Sequence, residues 1–195
     1  MAQNDFRLIL ASGSPRRQEL LGKFGRPFEV IPAAGDEIAP PGLSPEELVR
    51  FLGENKALQV AGAVGDKNAV YIAADTVVEL DGVILGKPGT AARAEEMLRA
   101  LSGKTHRVWT GLCVARGGRF ETAAECTSVH FRELSEAEIS AYAATGEPLD
   151  KAGAYGYQGI AGLFVDRIEG DYFNVVGLPI CRLGQLLSSF GVSLL

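Results

Sequence analysis

Arg16 and Arg17 sit directly after Ser12-Gly13-Ser14-Pro15, at a point where a helix is expected to begin. Leu8 to Ala11 is a short apolar run that suits a buried strand. Ser14 fits a helix N-cap, and Pro15 fits the first helical position, where its missing N–H costs nothing. Leu20, Leu21 and Phe24 supply the apolar stripe of that helix, and Arg17 falls on the same stripe. The first turn of a helix carries partial positive charge and spare N–H donors, so two arginines are unfavourable there. A bound anion reverses the sign, because amides, dipole and guanidinium groups then all favour it. A solvated basic turn, its arginines paired with carboxylates elsewhere, is the alternative.

The other groups with chemistry to offer are acids and lysines near the ends of elements. Asp75 follows the apolar run Ala69 to Ala74, at what reads as the end of a buried strand, where α/β sheets place ligands. A turn-capping role is the alternative for it. Asp36 and Glu37 lie in a Gly/Pro-rich loop, Ala33 to Gly42. Lys56 lies one helical turn beyond Leu52, and Lys87 lies in Gly86-Lys87-Pro88-Gly89. Arg16, Arg17, Lys56 and Lys87 together carry enough charge to hold a polyphosphate. Asp75 and Glu37 have the donor type that suits Mg²⁺, which prefers carboxylates plus substrate phosphates. That set is complete for metal-assisted phosphoanhydride hydrolysis. Spacing alone leaves open whether these residues converge; surface lysines and solvated acids are the other reading.

The elements that must position them follow from turn and cap signals. Phe28 to Ile31 reads as a second strand. Ser44-Pro45-Glu46-Glu47 is a capping box opening a helix to about Ala63. Val77 to Leu80 and Val83 to Leu85 flank Asp81-Gly82, a hairpin signal. Thr90 to Leu101 is helical, and Thr105 to Ala115 pairs with Phe120 to Phe131 around Gly117-Gly118. Ser135 to Glu138 is another capping box, for a helix that Gly146 closes. Glu147 to Gly162 reads as a glycine-dense loop, Leu163 to Val176 as a last hairpin, and the stretch after Pro179 as a helix to about Phe190. The order predicts an α/β fold with a mixed, partly antiparallel sheet, in one domain over residues 1–195 with no separable linker.

Several chemistries are excluded. The only histidines, His106 and His130, fall inside predicted strands, which argues against a Ser-His-Asp site and favours structural roles. Gly82 to Lys87 is one residue short of a P-loop, with Pro88 where Ser or Thr belongs. Gly153, Gly156 and Gly159 miss the dinucleotide fingerprint. A net charge of −5 argues against a general nucleic-acid partner. Cys113, Cys126 and Cys181 are odd in number and widely spaced, so reduced thiols are expected. No stretch has the length of a membrane span, and the N-terminal apolar run is too short for a signal peptide. A cytoplasmic location without a membrane partner is therefore expected.

Six stretches taken together resemble the Maf family of nucleoside-triphosphate pyrophosphatases: LASGSPRRQELL from Leu10 to Leu21, ADTVV from Ala74 to Val78, Gly86-Lys87-Pro88, LSGKTH from Leu101 to His106, EPLDKAGAYGYQG from Glu147 to Gly159, and IEGDYFNVVGLP from Ile168 to Pro179. They span nearly the whole chain. The resemblance implies an elongated α/β fold related to inosine-triphosphate pyrophosphatases, with a central mixed sheet flanked by helices and two lobes around a cleft. It implies hydrolysis of a nucleoside triphosphate to the monophosphate and pyrophosphate, with a divalent metal (Mg or Mn) as cofactor. ADTVV and the DKAGAYG run are similar to the dTTP/UTP branch, with CTP or modified pyrimidine nucleotides as further substrates. Asp75 would be the proton acceptor and, with Glu37, would hold the metal. Arg16, Thr76 and Gln158 would set base preference. Ser12, Ser14, Arg17, Lys56 and Lys87 would contact phosphates. Tyr157 stands where an aliphatic residue is common in the family. A homodimer is implied, and a nucleotide-binding regulator of cell division with little turnover is the alternative function.

Overall fold

The computed structural model describes residues 6–35 and 38–195. Asp36 and Glu37, the latter expected to assist a metal, lie outside the described residues. The described residues form a seven-stranded mixed sheet flanked by helices, as the order of elements predicts. In chain order the strands are β1 (Leu8–Leu10), β2 (Glu29–Val30), β3 (Val70–Leu80), β4 (Val83–Leu85), β5 (Thr105–Arg116), β6 (Arg119–Phe131) and β7 (Val165–Glu169). The α-helices are α1 (Pro15–Gly22), α2 (Pro45–Val64), α3 (Ala91–Leu101), α4 (Glu136–Ala144), α5 (Tyr172–Val176) and α6 (Ile180–Ser189). The strand order is β2-β1-β3-β5-β6-β7, with β4 paired to β3. β1 runs parallel to both β2 and β3, whereas β3–β4 and β6–β7 are antiparallel.

The chain divides into two compact units. The first comprises Met1–Asp75, Thr110–Glu125 and Gly177–Leu195; the second comprises Thr76–Trp109 and Cys126–Val176. β3, β5 and β6 each pass from one unit into the other along the chain.

In the first unit, Ala57 and Val60 of α2 pack with Ile9 of β1 and Ala11 just after it, with Tyr71 and Ala73 of β3, and with Cys113 and Ala115 of β5. Side chains alternate along a strand, so Tyr71, Ala73 and Asp75 share the face that α2 covers. α2 starts with the expected capping box, Ser44 and Glu47 each satisfying the other's backbone N–H. In the second unit, Val78, Leu98, Leu101, Phe131, Ile139, Tyr155 and Phe164 form the core.

Two expectations are corrected. Val70–Leu80 is one continuous strand, so Asp75 lies at its centre rather than at its tip. Leu163 to Val176 is not a hairpin: a 3-10 turn over Ile160–Phe164 leads into β7, which pairs with β6, and Asp171 Oδ1 accepts the Phe173 N–H (2.8 Å) to open α5. The expected loop from Glu147 also holds 3-10 turns at Glu147–Asp150 and Ala152–Ala154. The Asp81-Gly82 hairpin forms as expected, pairing Leu80 with Val83, and both turn residues have positive φ (52° and 83°), as that tight turn requires. All three cysteines are unbridged. Among the described residues no helix is long and apolar enough to cross a membrane.

Candidate active site

The first unit contains a topological switch point. From β1 the chain passes through α1 to β2 on one side, then through α2 to β3 on the other side of β1. Ligands of open α/β sheets bind beyond the carboxyl ends of the strands at such a point. Ser12 and the first turn of α1 follow the carboxyl end of β1 and meet this condition, whereas Asp75 lies inside β3, past its last residue paired with β1. The β1–β3 register pairs Leu10 with Ile72, and the Ala11 N–H donates to Ile72 O (2.7 Å). The pairing ends there, so Ser12 follows the last paired residue of β1 by two positions and Asp75 follows that of β3 by three.

Ser14 has extended backbone geometry at the N-cap, with Pro15 following, but its side chain makes no capping bond. Instead the Ser14 N–H donates to Ser12 Oγ (3.3 Å). Ser12 is buried, at 7% exposure, and its Oγ also accepts from Arg17 Nη1 (3.2 Å). Arg17 Nε donates to the carbonyl oxygen of Gly177 (2.8 Å). The guanidinium is thus held on two sides at the opening of a helix whose first turn contains no acid. A planar guanidinium fixed in this way loses little freedom when it binds phosphate. Arg16 is half-buried on the same turn.

Asp75 is buried at 8% exposure, and its Oδ1 accepts from Lys56 Nζ. Both side chains of this ion pair are largely sheltered, at 15% and 12% exposure. A carboxylate inside a strand tolerates burial only when so paired. Lys56 reaches it because α2 lies unusually close to β5. A Cβ placed on Gly111 of β5 would overlap the Val49 carbonyl and come within 2.7 Å of the Arg50 nitrogen. Gly53, facing it, would bring its own Cβ to 3.5 Å from Gly111 O. The missing side chain on β5 therefore sets the depth of the helix that carries Lys56.

The second unit holds the remaining predicted residues. Thr76, next after Asp75 on β3, is half-buried; Lys87 and Gln158 are exposed. The segment around Lys87 is tied down on both sides: the Gly153 N–H donates to Gly86 O (3.1 Å), and the Gly89 N–H donates to Leu149 O (3.1 Å). The structure thus groups Ser12, Ser14, Arg16 and Arg17 at the start of α1, and pairs Lys56 with Asp75. Lys87 and Gln158 stand on separate loops of the second unit.

Sequence reasoning missed several participants. The Gly177 carbonyl leaves no trace in side-chain chemistry. Gly111 had a usable signal, a glycine inside an apolar strand, which marks close backbone approach. Glu79 is buried at 2% exposure, bonded to Arg107 Nε (2.5 Å) and to the Gly82 N–H (2.6 Å), and so braces the β3–β4 hairpin.

His106 is buried as a structural residue, with Nε2 2.8 Å from Tyr155 Oη. Burial, and then the nearby His130, push its pKa down from 6.5 to about 4. Well above pH 6.5 the ring is neutral whether the chain is folded or not, so it adds no pH dependence there. As pH falls from 6.5 through about 4, the unfolded chain takes up the proton first and stability is lost. The loss expected at pH 4 is about 3 kcal/mol. Urea-unfolding midpoints at pH 7 and pH 4 measure it, and the drop should be smaller in His106→Gln.

A family model described as Maf-like protein matches residues 7–190. A Bacillus thuringiensis subsp. konkukian protein named dTTP/UTP pyrophosphatase is 50% identical over 188 residues, covering 95% of this chain and 96% of its own. A Pelotomaculum thermopropionicum protein of the same name is 48% identical over 190 residues, covering 96% and 98%. Among solved structures, the Staphylococcus aureus Ham1 protein matches at a TM-score of 0.46 and 14% identity, over 64% of this chain and 71% of that one. With the family model covering nearly all of its length and relatives at about half identity over the same span, the chain belongs to the Maf-like protein family.

Proposed function

We propose that this chain is a nucleoside-triphosphate pyrophosphatase that hydrolyses dTTP and UTP to the monophosphate and pyrophosphate. The observation that carries the reading is Arg17, fixed by Ser12 Oγ and Gly177 O at the opening of α1, which follows the strand paired with the one that bears Asp75, itself buried against Lys56. The names of relatives at about half identity favour the same substrates.

In this reading the triphosphate lies against the first turn of α1. Backbone N–H groups and the guanidinium of Arg17 bind its oxygens and offset the charge that develops on the leaving pyrophosphate. Ser12 and Ser14 line the same turn, and Arg16 lies beside it. Asp75 accepts the proton of the water that attacks the α-phosphorus, and Lys56 holds that carboxylate in place. In the second unit, Lys87 is proposed as a phosphate contact and Thr76 and Gln158 as base contacts, on the match of their motifs to the family.

A divalent cation fits Asp75 chemically, since Mg²⁺ and Mn²⁺ prefer hard oxygen donors. Among the described residues no group of three His, Cys, Asp or Glu side chains comes together to cage an ion. Asp75, with Glu37 as the second carboxylate that the family resemblance implies, would hold the cation jointly with substrate phosphates, as Mg²⁺ sites commonly do. When bound, it supplies a water of lowered pKa.

A panel of canonical and modified triphosphates, assayed for pyrophosphate release with and without metal, tests this function. Release from dTTP and UTP is expected to fall by about 100-fold or more with a chelator and to return with Mg²⁺ or Mn²⁺. Release of orthophosphate in place of pyrophosphate, or full turnover in chelator, would overturn it.

A further inference from the structure

Gln158 is the third residue of a tight turn closed by the Gly159 N–H donating to Gly156 O (3.0 Å). The residues two before and two after it are tied to Glu147, the first through Tyr142 and the second directly. The Gly156 N–H donates to Tyr142 Oη (3.3 Å), and Tyr142 Oη donates to Glu147 Oε1 (3.0 Å). From the other side, the Ile160 N–H donates to Glu147 Oε2 (3.3 Å). Both oxygens of one carboxylate therefore bracket the turn that presents Gln158. Lys151 Nζ donates to the main-chain oxygen of Glu147 (2.6 Å) and fixes the base of this clamp. The carboxylate occupies the space a side chain at Gly159 would fill, where a Cβ would come within 2.6 Å of Glu147 Cδ. The bond that closes the turn is main chain to main chain, so neither the Glu147 carboxylate nor the absence of a side chain at position 159 is needed for it.

We propose that Glu147 is a positioning residue for nucleobase selection: its carboxylate, seated against Gly159 and bonded to Tyr142 and Ile160, holds the turn that carries Gln158. The proposal rests on the reading of Gln158 as a base contact. A clamp of this kind acts on discrimination rather than on the hydrolytic step. An amide that must meet the donor and acceptor edge of uracil or thymine selects only if it is held still, because an adaptable group meets the wrong base nearly as well.

Two substitutions remove the clamp from opposite sides. Glu147→Ala deletes the carboxylate. Gly159→Ala displaces it: φ there is negative (−102°), so alanine meets no left-handed strain, and the atoms its Cβ would crowd are the far end of the Glu147 side chain. Each is expected to lower the UTP-over-GTP ratio of kcat/KM by about tenfold, with kcat for UTP within about twofold of the parent. Because both act on one contact, the double variant should be no worse than either alone. Amide exchange at Ile160 should quicken about tenfold or more in both, whatever the substrate. Glu147→Gln, which keeps an acceptor oxygen, should recover part of the ratio. Unchanged exchange at Ile160, or additive losses in the double variant, would overturn the clamp. Gln158→Ala is the control for the underlying reading. If it leaves the nucleotide ratio unchanged, the base contact is wrong even where exchange at Ile160 responds. If it alters the ratio while Glu147→Ala and Gly159→Ala do not, the positioning role is wrong.

Discussion

Asp75→Asn is expected to lower kcat/KM for UTP and dTTP by about 1000-fold or more, the scale set by loss of a general base. Asparagine keeps the shape of the side chain and can neither accept the water's proton nor offer an anionic oxygen to a cation. Nucleotide affinity, read by calorimetry with a non-hydrolysable UTP analogue, should stay within about tenfold, because the phosphate contacts assigned to α1 are untouched. The substitution also removes the negative charge that faces the sheltered Lys56 ammonium, and breaking a buried pair from one side typically costs about 3–5 kcal/mol. A second variant separates the two effects. Asp75→Asn combined with Lys56→Met removes both charges and should recover most of the lost stability while remaining inactive. Activity near the parent level in either variant would rule out Asp75 as the proton acceptor.

Gly111→Ala is expected to have the largest effect on stability of any single methyl addition in the first unit. The new Cβ would overlap the backbone of Val49 and Arg50, and neither a carbonyl nor an amide inside a helix can swing aside. Overpacking of this kind costs about 1–3 kcal/mol where side chains can give, and here the obstruction is main chain, so about 3 kcal/mol or more is expected. For a chain of this length that is a fall in Tm of about 6–12 °C. Hydrolysis should fall as well, since α2 can accommodate the methyl only by lifting off β5, which draws Lys56 away from Asp75. Gly53→Ala is the contrasting case. Its Cβ would make ordinary contact at 3.5 Å with Gly111 O, and alanine is favoured over glycine inside a helix by about 0.5–1 kcal/mol. It should be neutral or stabilising. Equal losses from the two substitutions would contradict the close approach of α2 and β5.

Local signals in the sequence were reliable where the chemistry is local. The Ser44–Glu47 and Ser135–Glu138 capping boxes, the Asp81-Gly82 hairpin and burial of Leu20 and Leu21 all follow from residues within four positions of one another. The errors arise where a distant partner decides. Asp75 interrupts an apolar run and so reads as a strand end, yet the strand continues because Lys56, nineteen residues earlier, neutralises it inside the sheet. Ser14 reads as a capping side chain, but the hydroxyl that receives its N–H belongs to Ser12, which is also committed to Arg17. Arg17 in turn is held by a carbonyl 160 residues away. The β-rich segment from Leu163 was expected to fold back on itself; its strand found a partner in β6 instead, and the Asp171 carboxylate turned the remainder into a helix. The residue types at the candidate site were legible, whereas the contacts that hold them in place are tertiary.

The most direct measurement is a crystal structure of the chain with a UTP analogue whose bond between the α- and β-phosphates resists hydrolysis. The triphosphate is expected at the opening of α1, with oxygens about 3 Å from the Arg17 guanidinium and from N–H groups of the first turn, and with the α-phosphorus next to the Asp75 carboxylate. A triphosphate bound elsewhere, with Arg17 and Asp75 both remote from it, would contradict the assignment.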